Sequence, residues 1–360
     1  MNLVERELEM RRLPQLMLFQ DGGPVKTAED WKHRREEIRE LLCRECFGFP
    51  PRLSYEVSGQ VVNTQEDAYG GKAVRQTVEL EIRSPFSHAS FPFTVTLPKG
   101  EARPPLFLCL AFTPSEADGL GEEILDGGFG IASVYYQDMT ADYYDSHMSG
   151  LGRFCTRNQF DSWGKLAMWA WGASRMLDWI LEHTCADADR IAVIGHSRLG
   201  KTALLAGGMD ERFSLTVSND SGGGGAALFR QKTGEHICDL YGKGSRLWFA
   251  GNFFRYCGRE EELPFDQHFL LALTVPRHLY IASASRDDWA DPVSEFLSCA
   301  AVSEVYEALG FPGLVYPGAF PKEGNCFHEG RIGYHLRKGT HYLSRWDWQK
   351  IMEYRRMHQV

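Results

Sequence analysis

Residues 195–202 read Gly-His-Ser-Arg-Leu-Gly-Lys-Thr, directly after the β-patterned run RIAVI and directly before an apolar helical stretch. A strand that turns through glycines into a helix N-terminus constrains the chain strongly, because such turns sit at the carboxyl edge of a parallel sheet covered by helices. Two chemistries fit the octet. As G-x-x-x-x-G-K-T it is a P-loop, with Lys201 on the β/γ-phosphates of a nucleotide and Thr202 on magnesium. Centred on Ser197 it is a nucleophile elbow, which lifts the hydroxyl out at the sheet edge.

Partners elsewhere in the chain decide between them. A P-loop needs a second strand ending in a magnesium-orienting acid, and the best candidate, LTVSND (215–220), is interrupted by Ser218 and Asn219. An elbow needs an acid and then a histidine after later strands. LYIASASRDD places Asp287 and Asp288 past one strand, and HLRKGTH places His341 past the last. The elbow reading is favoured, with one departure: G-x-S-x-G wants glycine at 199, where this chain has Leu199 and a glycine one later. That departure predicts a helix set slightly further from its strand.

The remaining pattern supports an α/β class. A helix is expected over Thr27–Phe47, opened by a Thr-x-x-Asp cap and ended by Gly48, Pro50 and Pro51, within an N-terminal helical segment 1–51. Strands follow in SYEVSGQVV, AVRQTVELEIRS and FPFTVTLP, then in the fully apolar PPLFLCLAF. From there strands alternate with helices: FGIASVYY, a helix over Asp161–Glu182, RIAVIG, a helix over Leu199–Met209, FSLTVS, RHLYIASAS, a helix from about Pro292 to Leu309, GYHLRKGTH and a helix over Ser344–Met357. This predicts one mixed, mostly parallel sheet with helices on both faces, occupying 52–360. Residues 229–263 break the alternation and read as an insertion over the active edge.

Composition excludes some classes of function. With 39 Lys+Arg against 48 Asp+Glu the net charge is −9, so no nucleic-acid groove is expected. The apolar run from Leu106 to Phe112 is far short of a membrane span. MNLVERELEMRRL has no apolar signal core, and nine scattered cysteines lack framework spacing; together these predict reduced thiols in a cytoplasmic protein. Cys43 and Cys46 read as buried thiols of a short helix. The sequence sets no oligomeric state.

The motif Gly-x-Ser-Arg-x-Gly-Lys resembles the nucleophile motif of the glucuronoyl esterases, carbohydrate esterase family fifteen, and 195–201 matches it throughout. Similar stretches are WAWGASRMLDWI (169–180), SGGGGAALFR (221–230), LPFDQHFLLALTVPRHLYIASAS (263–285) and DWADPVSEFL (288–297). The resemblance implies an α/β-hydrolase fold, no metal or organic cofactor, and hydrolysis of a uronic acid ester or, in related enzymes, of an acetylated sugar. A small-molecule or oligosaccharide ester is then the expected substrate, an intracellular acetyl (xylan oligosaccharide) esterase the alternative, and a P-loop nucleotide-binding protein the remoter one.

In that chemistry Ser197 is the nucleophile, His341 the base, and a carboxylate orients the imidazole. Asp287 is favoured for the acid, with Asp220 and Asp288 as alternatives. Some members of the family carry the acid where Asp220 stands, commonly as the longer glutamate. The backbone N–H of Arg198 is placed for the oxyanion in any elbow, and a second donor is expected near Phe112 and Thr113. The resemblance adds the Arg198 side chain as a helper, Trp289 as a sugar-stacking residue and Lys201 as a sugar contact; core packing and a solvated helix position are their bland readings. His335 is a weaker candidate base, His268 is expected to satisfy a neighbouring loop, and Asp291 before Pro292 to cap a helix.

Overall fold

The computed structural model describes residues 2–145, 147–155, 157–242 and 244–360, with the side chains of Glu116 and Asp118 set aside. Ten strands form one sheet: β1 (Glu56–Asp67), β2 (Ala73–Arg83), β3 (His88–Pro98), β4 (Leu106–Ala111), β5 (Gly130–Tyr135), β6 (Ile191–His196), β7 (Leu215–Asn219), β8 (His278–Ala284), β9 (Cys326–Phe327) and β10 (Ile332–Arg337). Their order is β1-β2-β3-β5-β4-β6-β7-β8-β10-β9. The first three strands pair antiparallel, and β5, β4, β6, β7, β8 and β10 run parallel. All six β4 residues are buried, as a strand covered on both faces requires.

Six longer helices surround the sheet: α1 (Leu3–Arg11), α2 (Ala28–Leu42), α3 (Lys165–His183), α4 (Arg198–Met209), α5 (Pro292–Ala308) and α6 (Arg345–His358). The expected Thr27 cap is present as a reciprocal box with Asp30, and Asp291 caps α5 by accepting from Ser294 N. The helix expected from Asp161 starts instead at Lys165, because Gly164 is extended (φ −82°, ψ 172°) and its N–H is taken by Phe47 O. Helix α1 went unpredicted, although Asn2 and Glu5 form a capping box that the sequence displays.

The N-terminal segment is stitched to the sheet-bearing body. Buried Arg11 donates to Arg230 O and Ser294 Oγ, both at 2.8 Å, and Arg35 donates to Gly208 O at 2.7 Å and Leu273 O at 2.9 Å. The stretch 229–263 holds only short helical turns among its described residues. It also contains a disulfide, Cys238–Cys257, which corrects the expectation of nine reduced thiols. The two residues stand 19 apart with no framework spacing to announce them. Cys43 and Cys46 are buried and free, as expected.

Asp347, in the first turn of α6, fixes the loop after β10. Fully buried, it accepts from His335 Nε2 (2.8 Å), Arg337 Nε (2.8 Å) and Ser344 Oγ (2.6 Å). Arg337 in turn donates to Thr340 O at 2.9 Å and Tyr342 O at 2.6 Å, the carbonyls flanking His341. His335 is thus spent on Asp347 and Tyr280, not available as a base. Removing one partner of such a buried ionic group costs roughly 3–5 kcal/mol. We expect Asp347→Ala to lose stability of that order in urea denaturation; a loss within about 0.5 kcal/mol, as for an ordinary surface change, would contradict this role.

Candidate active site

Ser197 lies between β6 and α4 with φ 56° and ψ −128°, in the left-handed half of backbone space that side chains disfavour. The turn is tight. A Cβ at Gly195 would fall 2.1 Å from Leu199 O, so position 195 admits only glycine without a backbone shift. The sequence departure at 199 resolves here. Leu199 is fully buried in the main core, and Gly200 lies against the end of β7, where a Cβ would meet Ser218 Oγ at 3.0 Å and Asn219 O at 3.1 Å. Crowding is therefore relieved one residue later, and α4 does not stand off from its strand.

Four strand ends converge on this serine. Ser197 Oγ donates to His341 Nε2 at 2.8 Å, and His341 Nδ1–H donates to Asp287 Oδ2 at 2.5 Å. Asp287 is 5% exposed and the His341 side chain 42%, so the imidazole stands between solvent and a buried carboxylate. Asp220 also comes close: it, Asp287 and His341 each offer a ligand atom within 4.8 Å of the others. Its Oδ2 accepts from Tyr342 N at 3.3 Å, and its buried Oδ1 has no partner. Burial, then the negative charges of Glu295 and Asp287, hold the Asp220 carboxyl well above the usual carboxylate range. Asp288 is exposed and makes no hydrogen bond to His341 among the described residues.

Arg198 is the first residue of α4, so its backbone N–H has no intrahelical acceptor. Its guanidinium Cζ lies 5.6 Å from the ring centroid of Phe112, which follows β4. Trp289 is 54% exposed, its Nε1–H donating to Glu235 Oε1 at 3.3 Å. His268 bonds Pro14 O, as expected of a loop-satisfying residue.

Lys201 departs from both of its readings. Its side chain is 4% exposed, and Nζ donates to Ser221 O (2.7 Å), Gly223 O (2.5 Å) and Glu235 Oε2 (2.8 Å). An ammonium has three donors, and all three are engaged within the protein. This corrects the sugar-contact expectation and overturns the P-loop reading, which needs that ammonium free for phosphate.

Other residues of the site escaped sequence reasoning. His196, the variable position of the elbow, packs its ring tilted against that of His341, centroids 4.5 Å apart, and donates through Nδ1 to Asn219 Oδ1 at 2.6 Å. Burial, assisted by nearby His341, lowers its pKa to about 4, so it stays neutral beside the base. Glu235 joins Lys201 to Trp289. Asp142 and Trp248 both contact the Arg198 guanidinium. Only the adjacency of His196 to Ser197 was a usable signal.

A parallel sheet with a strained serine at one strand end and a histidine and acid at two later ones defines the α/β-hydrolase class. Within it, the family model described as "Glucuronyl esterase, fungi" matches residues 80–310. A carbohydrate esterase from an unknown prokaryotic organism is 32% identical, over 98% of this chain and 91% of its own. The 4-O-methyl-glucuronoyl methylesterase 1 of Wolfiporia cocos is 33% identical, over 88% of this chain and 76% of its own. Among solved structures, a glucuronoyl esterase from Solibacter usitatus superposes with a TM-score of 0.88 at 34% identity, covering 97% of this chain and 98% of its own. A carbohydrate esterase family 15 enzyme from a marine bacterial metagenome, described as promiscuous, gives 0.86 at 32%, covering 96% of each chain. The chain belongs to the glucuronoyl esterase family and is a carboxylic ester hydrolase.

Beneath the site, Glu295 is fully buried and accepts from Ser283 Oγ (2.6 Å) and Gly222 N (2.9 Å). Burial pushes its carboxyl up to about 7 against the pull of those hydrogen bonds. The folded state thus holds a proton that the unfolded chain releases near 4.5, and the associated stability, full below 4.5, is lost as pH rises through 7. From pH 5 to 8 the stability of Glu295→Gln relative to wild type should rise by up to about 3 kcal/mol. Parallel pH profiles of the two proteins would contradict the assignment.

Proposed function

We propose that this protein is a serine carbohydrate esterase that hydrolyses an ester of a uronic acid, in the manner of a 4-O-methyl-glucuronoyl methylesterase, using Ser197, His341 and Asp287. The observation carrying this reading is the unbroken hydrogen-bond chain from Ser197 Oγ through His341 to Asp287, built on the strained turn. Relatives named 4-O-methyl-glucuronoyl methylesterases support the substrate class. The substrate is then a small or oligosaccharide ester.

His341 accepts the Ser197 proton as Oγ attacks the ester carbonyl, and Asp287 offsets the imidazolium charge. Negative charge develops on the carbonyl oxygen. The Arg198 N–H and guanidinium lie at the adjacent helix start to receive it. The imidazolium protonates the leaving alcohol, and water then enters by the same base to release the uronate and free Ser197. The exposed indole of Trp289 suits stacking on a sugar ring. Lys201 serves indirectly, fixing Glu235 and through it Trp289.

A sugar acetylesterase is the second reading. It is favoured by the loss of Lys201 as a group that distinguishes uronates from acetyl esters.

Ser197→Ala and His341→Ala should each lower kcat on methyl glucuronate by roughly 10³-fold or more with the fold retained. If Ser197→Ala kept a tenth of wild-type kcat, the nucleophile would be misassigned. Among Asp→Asn changes at 220, 287 and 288, the greatest loss of kcat is expected at 287; a greater loss at 220 would move the acid to the end of β7. Finally, kcat/KM should be higher for methyl or benzyl glucuronate than for an acetylated xylose. The reverse order would establish the acetylesterase reading.

A further inference from the structure

The guanidinium of Arg198 is held before any substrate arrives. Its Nη1 donates to Asp142 Oδ2 at 2.5 Å, and its Cζ lies 4.6 Å from the ring centroid of Trp248. Asp142 is itself fully engaged: Oδ1 accepts from Trp248 Nε1 at 2.7 Å, and Oδ2 also from Tyr136 OH at 3.1 Å. Its side chain is 6% exposed, against 33% for Arg198. Trp248 thus contacts the pair twice, by ring face to the cation and by indole N–H to the anion.

The part of Arg198 left over is the informative part. Its Nε is buried without a hydrogen-bond partner, and Nη2 makes no hydrogen bond among the described residues. Arginine–carboxylate pairs are frequently two-pronged forks, and this one is not. Here a single nitrogen is tied to the carboxylate, Nε is buried unpartnered, and the Nη2 edge is left unmatched among the described residues on a cation one residue from Ser197. An arginine side chain carries much rotamer entropy, which an untethered Arg198 would lose on meeting the transition state. The three donors on Asp142 also offset its negative charge, which would otherwise oppose an oxyanion nearby.

We propose that Asp142 and Trp248 are positioning residues that aim the free edge of Arg198 at the ester oxyanion, and that the 229–263 segment supplies Trp248 for this purpose. The inference rests on the proposed role of Arg198 in oxyanion binding. Neither residue touches the reacting atoms, so their effect must pass through Arg198 and appear in turnover more than in substrate affinity.

The test is a set of double-mutant cycles on methyl glucuronate, with circular dichroism to confirm folding. Asp142→Asn keeps shape but weakens the hold on Nη1, and should lower kcat about 10- to 100-fold with KM within about 3-fold. Trp248→Phe keeps an aromatic face but loses the indole N–H, and should lower kcat about 3- to 10-fold. In an Arg198→Ala background each change should alter kcat by less than about 2-fold, because the group they position is gone. Full, additive penalties in that background would overturn the inference, as would a loss expressed only in KM or thermal stability. Should Asp142→Asn fail to fold, the Trp248→Phe cycle decides on the same criteria. The two readings separate cleanly: Arg198→Ala impaired with both other variants unimpaired overturns the positioning role alone, whereas an unimpaired Arg198→Ala overturns the oxyanion role and this inference with it.

Discussion

A serine at φ 56° and ψ −128° occupies backbone space that costs a non-glycine residue about 1–3 kcal/mol, and the reacting edge is arranged to hold it there. The Ser197 N–H donates to Asn219 O on neighbouring β7 at 2.9 Å, and its carbonyl accepts from Lys201 N at 3.1 Å, starting α4. Glycines at 195 and 200 let strand, turn and helix approach within distances that a side chain would block. The Lys201 ammonium then clamps the first turn of α4 to the carbonyls of Ser221 and Gly223. A residue whose type suggests contact with a ligand serves instead to close the turn that carries Ser197.

The same edge places two carboxyls, Asp220 and Asp287, beside one imidazole, and buried Glu295 lies close enough to Asp220 to oppose its charge. Asp220 and Glu295 are both driven toward the neutral form, Asp220 by burial and then by its acidic neighbours, Glu295 chiefly by burial. Asp287 is the one that takes the His341 Nδ1–H. Asp287 is thereby the carboxylate in direct contact with the ring that would carry a developing imidazolium. The hydrogen bond from His341 to the carboxylate after β8, and not to that after β7, is the geometry behind the proposed choice of acid.

The sheet and the Ser197, His341 and Asp287 constellation were legible because each rests on local chemistry. A glycine-flanked serine between strand and helix, an aspartate just past an apolar run, and a histidine past the last strand are all visible in one dimension. Lys201 was misread because helix periodicity does not show that the chain from 221 to 223 folds back to present carbonyls to it. Asp142 and Trp248 were invisible for a related reason: they come from irregular segments 106 residues apart, joined only in three dimensions. Neither Cys238 nor Cys257 belongs to a motif, and their pairing depends on how the short turns between them fold. Helix α1 was a missed opportunity, since Asn2 and Glu5 carry its start signal.

The central claim is that the turn and the Ser197–His341–Asp287 chain together make one hydroxyl a nucleophile. Intact-mass spectrometry after incubation with a fluorophosphonate tests it most directly. A single stoichiometric adduct is expected, mapping by peptide analysis to Ser197 and forming at least about 10²-fold more slowly in the His341→Ala protein. No adduct, or an adduct on another residue that forms as fast without His341, would contradict it.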